Sequence, residues 1–371
     1  MNDTGQGPVS PPPEKVLFQI TAGWLERALF PVRWVLTLLT WTYAAGLLSL
    51  LILLEWWGER LWVVSVLLYA PAQIVLLPLL VLGPLCLIFR WRLCLCHLAC
   101  GLIVVFGYMT FRWASVPVPG PDAITAVTFN TGQSSRSQFL AFLEAEKPDL
   151  ILLQDARGRG AAIAAKFPGM VARELGEFAL ISRYPVQNAA LVSEVKWRDQ
   201  PVAARFEVTI RDRVVAIYSV HLPTPRQELS RFLGGRRVLG DLVGRKHREP
   251  GFGNYREWLD QRIQLARDLA KTFADEKYPM IVGGDFNVPD HGCIYHLFAD
   301  EMTDAFAHSG RGWGLTFPGS TRNPISLFGP WLRLDYFFVG RGWRVTECRP
   351  EEGRKSQHKA VLARFEPALE K

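Results

Sequence analysis

Ile281-Val-Gly-Gly-Asp-Phe-Asn287 reads as a buried strand that runs into two glycines and then delivers a carboxylate and an amide two positions apart. Side chains of a strand alternate between faces, so Asp285 and Asn287 are aimed the same way. Such a pair at a strand end can orient a water beside a phosphorus centre and hydrogen-bond the phosphate, as in-line phosphoryl hydrolysis requires. Taken alone, the segment is also compatible with an Asx turn closing a strand.

Other strand ends deposit polar residues of the same kind. Thr128-Phe129-Asn130 ends one strand with an amide, and Leu152-Leu153-Gln154-Asp155 ends the next with a carboxylate. Hard oxygen ligands of this type suit Mg²⁺ or Mn²⁺ rather than zinc. Tyr218-Ser219-Val220-His221-Leu222 supplies an imidazole, Leu334-Asp335-Tyr336 a further carboxylate, and Ser356-Gln357-His358 a second imidazole just before a terminal strand. Strand-like runs at 124–129, 150–153, 203–210, 214–220, 280–282 and 336–339 interleave with helical patterns at 137–146 and 258–273, which predicts an α/β or α+β domain.

In this order the segments resemble the endonuclease/exonuclease/phosphatase superfamily, which includes pancreatic deoxyribonuclease, abasic-site endonucleases, neutral sphingomyelinases and inositol-polyphosphate phosphatases. Ile181-Ser-Arg-Tyr-Pro-Val186 and the helix with Gln264 and Leu265 add to the likeness, which covers essentially all of 121–371. The resemblance implies a four-layer sandwich of two central β-sheets flanked by helices, and a hydrolase acting on phosphate esters with Mg²⁺ or Mn²⁺. It implies that Asn130 and Asp155 form the metal side of the site and that Asp285 activates the attacking water. Asn287 would orient Asp285 and the phosphate, His221 would contact a phosphate oxygen, and Asp335 would hold His358 charged beside the same phosphate. The chain departs from the family pattern twice: Asp155 stands where Glu is usual, and Gln357 stands where the last motif carries Asp. The second change removes a charge from the metal region and leaves open whether one or two metals bind.

The 371 residues are 49% hydrophobic, yet the apolar residues are unevenly spread. Stretches 34–54, 61–89 and 93–111 contain no Asp, Glu, Lys or Arg, and each is long enough as a helix to cross a hydrocarbon core of about 30 Å. The predicted organisation is an N-terminal segment 1–33, three transmembrane helices within 34–113, a proline-rich linker 114–121 and a catalytic domain 122–371. Pro71, Pro78 and Pro84 suggest a kinked or tilted second span. Lys15, Arg27, Arg33, Arg90 and Arg92 fall on one side of the membrane, and Arg60 and Arg112 on the other. By the positive-inside tendency the amino terminus is cytoplasmic and the catalytic domain extracytoplasmic, in a plasma or inner membrane.

Composition excludes less than the motifs do. Residues 121–371 carry 35 basic and 30 acidic side chains, a net charge of +5, which is mildly basic and not a polyanion-binding composition. Only Cys293 and Cys348 of the six cysteines lie beyond the apolar region, so no disulfide framework is implied. Cys94, Cys96 and Cys100 read as apolar thiols inside a span, with His97 facing the helix bundle. The basic run Arg226 to Arg248 fits an anionic partner or a solvated helix equally well. The substrate class stays open between nucleic acid and a phospholipid headgroup. A membrane scaffold or sensor that binds phosphate without cleaving it is the alternative from another class.

Overall fold

The computed structural model describes residues 13–115, 119–132, 136–226, 228–229, 255–319, 329–352 and 356–368. Most of the basic run 226–248 and part of the 114–121 linker lie outside the described residues. The apolar region forms helices α1 (Pro13–Trp56), α2 (Trp62–Leu68), α3 (Leu77–Phe89) and α4 (Cys94–Leu102). Three helical stretches, Glu26–Trp56, Ala72–Phe89 and Trp91–Tyr108, are long and apolar enough to cross a membrane.

Contacts divide the chain into two units, Met1–Leu50 with Gln73–Val105, and Leu51–Ala72 with Phe106–Lys371. In the first, Leu36, Leu82 and Cys86 pack together. His97 meets Thr40 across helices, Nε2 to Oγ1 at 3.1 Å, and the Tyr43 hydroxyl donates to the Val75 carbonyl at 2.8 Å. Polar side chains on otherwise apolar helices find partners in this way because their apolar neighbours offer none.

The uncharged run 61–89 is divided at Pro71. Proline supplies no N–H and disfavours helix in the residue before it, so α2 ends at Leu68. The Ser65 and Tyr69 hydroxyls then find partners in the second unit, to which this part of the run belongs: Ser65 Oγ meets the Tyr255 hydroxyl at 3.0 Å.

The second unit is built on twelve strands and their covering helices. In chain order these are β1 (Ile124–Asn130), α5 (Arg136–Glu146), β2 (Leu150–Gln154), α6 (Arg159–Ala164), β3 (Val171–Leu175), β4 (Phe178–Ser182), β5 (Val186–Leu191), β6 (Ala203–Ile210), β7 (Arg213–His221), α7 (Tyr255–Ala274), β8 (Met280–Asp285), α8 (Cys293–Ala299), β9 (Thr303–Asp304), β10 (Asp335–Val339), β11 (Trp343–Pro350) and β12 (Val361–Pro367). One six-stranded sheet has the order β9-β10-β8-β7-β6-β5, the other β11-β12-β1-β2-β4-β3.

Period-two alternation decides the layering. Ala204, Phe206, Val208 and Ile210 of β6 face the same inner core as Leu150 and Leu152 of β2. The intervening Ile151 and Leu153 turn outward to Phe139 and Leu143 of α5. Ala216, Tyr218 and Val220 of β7 turn outward to Ile263, Ala266, Leu269 and Phe273 of α7. These three apolar layers make a four-layer sandwich of two mixed sheets flanked by helices. Below the site the sheets are tied by a buried polar link: Gln154 Nε2 donates to Thr128 Oγ1 at 3.1 Å and to Ser219 Oγ at 2.9 Å.

Candidate active site

Strand register assembles the centre of the site. The parallel pair β7 and β8 places His221 beside Asp285, and the antiparallel pair β8 and β10 places Asp285 beside Asp335. The parallel pair β1 and β2 ends in Asn130 beside Gln154, delivering the amide from the other sheet. The two glycines before Asp285 are required by this crowding. A Cβ on Gly283 would lie 2.5 Å from the Phe337 ring, and one on Gly284 2.0 Å from the Val220 carbonyl oxygen. Only a bare backbone lets β8 pass between its neighbours there.

Asp285 is fully buried and sits at the hub. Its Oδ2 accepts from Asn130 Nδ2 at 2.8 Å and its Oδ1 accepts from the Asn287 amide at 2.9 Å. The Nε2 atoms of His221 and His358 approach the same Oδ2 at 3.8 and 3.7 Å, beyond hydrogen-bonding distance. Two ring nitrogens therefore flank one carboxylate oxygen across a gap. Asp335 Oδ2 meets His358 Nδ1 at 3.0 Å, while its Oδ1 is buried with no hydrogen-bond partner among the described residues. Burial opposes a charge on His358, but Asp335 and Asp285 outweigh it and lift the pKa to about 9. His221 Nδ1 lies 3.1 Å from Glu177 Oε1. Burial again disfavours its charge, and Glu177 and Asp285 together raise its pKa above the usual histidine value.

Asn287 adopts a left-handed backbone, φ +52°, which asparagine tolerates better than most residues. Its Nδ2 donates to the Leu222 carbonyl at 2.9 Å. Its own carbonyl accepts from the Tyr69 hydroxyl at 3.1 Å and from the Arg262 guanidinium at 2.5 Å.

Asp155 is also left-handed, φ +51°, and lies apart from this hub. Its Oδ1 accepts from Arg157 Nε at 2.5 Å. Its Oδ2 and the Asn130 Oδ1 converge on the space above Gly132, where a Cβ would meet them at 2.4 and 3.2 Å. The structure thus gathers Asn130, His221, Asp285, Asp335 and His358 around one point, with Asn287 fixing Asp285 from the backbone and Asp155 to one side on Asn130.

Two groups of side chains bring potential cation ligands together. Asp285, Asp335 and His358 offer ligand atoms within 4.8 Å of one another. A histidine pairing with Asp335 and lifted to a pKa of about 9 is protonated at neutral pH and has no lone pair to give, so this trio is better suited to an anion beside a cation than to the cation itself. Over Gly132 the Asp155 Oδ2 and Asn130 Oδ1 atoms are hard oxygens of the kind that suit Mg²⁺ or Mn²⁺, and the missing side chain leaves the space between them clear, although Asn130 Oδ1 also accepts from the Gly132 N–H at 3.0 Å.

A cleft of about 360 Å³ opens beside His221 and Glu177, walled by Trp197, Pro201, Leu222 and Trp258. Glu177, Tyr69 and Arg262 carry no motif and are not legible from the sequence as site residues. Arg262 alone leaves a trace, as a charge on the apolar face that Tyr255, Trp258, Leu259 and Ala266 define at helical spacing.

Residues 127–358 match the Endonuclease/Exonuclease/phosphatase family. Among solved structures, the chain is similar to a family protein from Bacteroides thetaiotaomicron, at 15% identity over 68% of this chain and 100% of that one, TM-score 0.47. It is also similar to a 3'-5' exonuclease from Neisseria meningitidis, at 16% identity over 66% and 100%, TM-score 0.46. A mannosyl-6-phosphatase from Bacteroides thetaiotaomicron matches at 14% identity over 65% and 99%, TM-score 0.46. No curated protein matches the sequence.

Proposed function

Because this chain belongs to the Endonuclease/Exonuclease/phosphatase family, we propose that it is a membrane-anchored, divalent-metal-dependent phosphoesterase whose hydrolytic centre is Asp285 with its flanking histidines. The observation that carries the reading is the gap between Asp285 Oδ2 and the two Nε2 atoms at 3.8 and 3.7 Å. A phosphate oxygen bound at the open side of this cluster, alongside the two imidazoles and not between them and Asp285, meets the His358 Nε2–H and the His221 ring, and a water on the carboxylate side meets a base held by Asn130 and the Asn287 amide. Attack on phosphorus then passes the water proton to Asp285 while the ester bond to the leaving oxygen breaks. The Asn130 and Asp155 oxygens would hold the cation, which when bound neutralises charge on the transferring phosphoryl group.

Supporting a phosphate role for His358 is its orientation: Asp335 takes Nδ1, so Nε2–H is the atom left for the anion. The consequence for pH is directional. The folded pKa of His358 lies above its unfolded value near 6.5, so its charge and the stability it lends are fully present below that value and are lost as pH rises through about 9. The kcat/KM profile is therefore expected to carry an alkaline limb near pH 9 that is absent from His358→Gln. A wild-type profile flat to about pH 10.5 would remove this histidine from substrate binding.

The substrate class is tested by offering the full chain, in detergent with Mg²⁺ or Mn²⁺, a synthetic phosphodiester, a phospholipid and single- and double-stranded DNA. Hydrolysis of none of them would sink the enzymatic reading. For topology, the three spanning helices and the five-to-two distribution of Lys and Arg support an extracytoplasmic catalytic domain. An alkaline phosphatase reporter fused after Lys371 is expected to be active and a cytoplasmic fluorescent reporter dark; the reverse pattern would overturn that orientation.

A further inference from the structure

The loop that follows Asp285 is gripped along its length by the chain that adjoins the spanning helices. Tyr69 donates to the Asn287 carbonyl at 3.1 Å, and Arg262 donates both to that carbonyl at 2.5 Å and to the Tyr69 hydroxyl at 2.6 Å. Asp290 accepts from Thr110. His291 Nδ1 meets Glu55 at 2.6 Å and its Nε2 meets the Tyr108 carbonyl at 3.0 Å, while His296 meets the other Glu55 oxygen at 2.7 Å. Glu59, 1% exposed, reaches Cys293 and the Ile294 amide, and Gly292 is pressed so close that a Cβ would lie 2.6 Å from the Glu59 carboxylate. Behind these, Trp62 and Val66 pack on Tyr255, Trp258 and Leu259 of α7.

We infer that Tyr69, in the juxtamembrane chain just after α2, is a positioning residue of the catalytic centre that fixes the left-handed Asn287 and, through its amide, the Asp285 carboxylate. Asn287 is a residue that tolerates the left-handed region, and the bonds made at its carbonyl select that conformation for the loop. Its N–H orients Asp285 Oδ1 and its C=O is the atom Tyr69 and Arg262 hold, so both ends of one residue link the membrane-proximal chain to the hub. Glu55 lies in the last turn of the first spanning helix and Thr110 follows the last one, so the catalytic loop is bonded to the chain at the ends of two spanning helices.

The inference rests on the proposed hydrolysis only for its kinetic readout, and hydrogen exchange tests it independently. Full-length Tyr69→Phe, which removes one hydroxyl, is compared with wild type and with Ser65→Ala, which loosens α2 from Tyr255 without touching the loop. The measurements are bis(p-nitrophenyl) phosphate hydrolysis with Mg²⁺ and amide exchange at Phe286 to Val288. Tyr69→Phe is expected to lower kcat about threefold to tenfold at unchanged KM and to speed exchange at Asn287, with Ser65→Ala near wild type in both. Unchanged exchange in Tyr69→Phe overturns the inference, as does faster exchange with unchanged kcat, or an equal kcat loss in Ser65→Ala. If wild type hydrolyses nothing while Tyr69→Phe still speeds exchange, the contact chain stands and the hydrolytic reading falls.

Discussion

Asp285→Ala is expected to lower turnover by at least ~10²-fold, the loss typical when a positioned proton acceptor is removed, equivalent to about 2.7 kcal/mol of transition-state stabilisation. The competing effect is on the fold. Removing the carboxylate leaves the Asn130 amide and the Asn287 N–H without their acceptor, at a cost of about 1–3 kcal/mol for each buried unsatisfied group. Against this, Asp285 and Asp335 are buried carboxylates on facing positions of adjacent strands, with the one His358 charge between them. Taking one away leaves a neutral His358–Asp335 pair, which relieves repulsion. These terms are of similar size, so the thermal midpoint should shift by only a few degrees while turnover collapses. Asp285→Asn keeps the shape and an acceptor oxygen for Asn287, and separates the two effects further: the same loss of turnover with a midpoint at or above wild type is expected. Retained turnover in both variants would assign the proton to another group and favour a domain that binds phosphate without cleaving it.

The amino-acid sequence reveals this centre because its residues close strands. His221, Asp285, Asp335 and Asn130 all stand at strand ends, where apolar alternation gives the element and the terminal residue gives the chemistry. The predicted strand 203–210 coincides with β6, and the expected helix 258–273 lies within α7. Register then does what no single segment reveals, bringing His221, Asp285 and Asp335 onto one rung. Edge strands β3 and β5 leave no such signal, because their exposed faces give no clean period. Glu177 is silent for a related reason: it sits in the turn between β3 and β4, and its partnership with His221 spans 44 positions with no pattern at either end. The apolar run 61–89 is divided in the structure in a way hydropathy does not register, with Leu61–Ala72 in the second unit and Gln73 onward in the first. Hydropathy sees only the absence of charge, and a helix that packs Trp62 and Val66 against Tyr255, Trp258 and Leu259 scores like one that buries them in lipid. Its local signals, the Ser65 and Tyr69 hydroxyls and the helix-breaking Pro71, are weak one by one, and the two hydroxyls acquire meaning only when their partners 190 and 218 positions away are in view.

Chelation should abolish hydrolysis altogether, and three substitutions around the Gly132 cradle should move the metal requirement in directions fixed by charge and space. Asp155 supplies the carboxylate that meets Asn130 Oδ1 over that glycine, and a cation held there gains from the negative charge. Asp155→Asn removes it and is expected to raise the Mg²⁺ concentration for half-maximal rate at least ~10-fold or to abolish activity. Arg157 donates to the same carboxylate from the surface, its side chain 74% exposed, and so competes for it. Exposed ion pairs contribute about 0–1 kcal/mol, so Arg157→Ala should lower the metal requirement by no more than about fivefold. Gly132→Ala changes no charge. Its Cβ would stand 2.4 Å from Asp155 Oδ2, inside the space a cation needs, so the requirement should rise through sterics alone. A Mg²⁺ and Mn²⁺ titration of the three variants separates the causes, because electrostatics demands opposite shifts for Asp155→Asn and Arg157→Ala while crowding acts on Gly132→Ala only. Mn²⁺, slightly larger, should suffer more from the added methyl than Mg²⁺. Full activity in chelator, or a half-maximal concentration that none of the three moves, would place the cation elsewhere or dispense with it, and Asp155 would then be only the surface partner of Arg157.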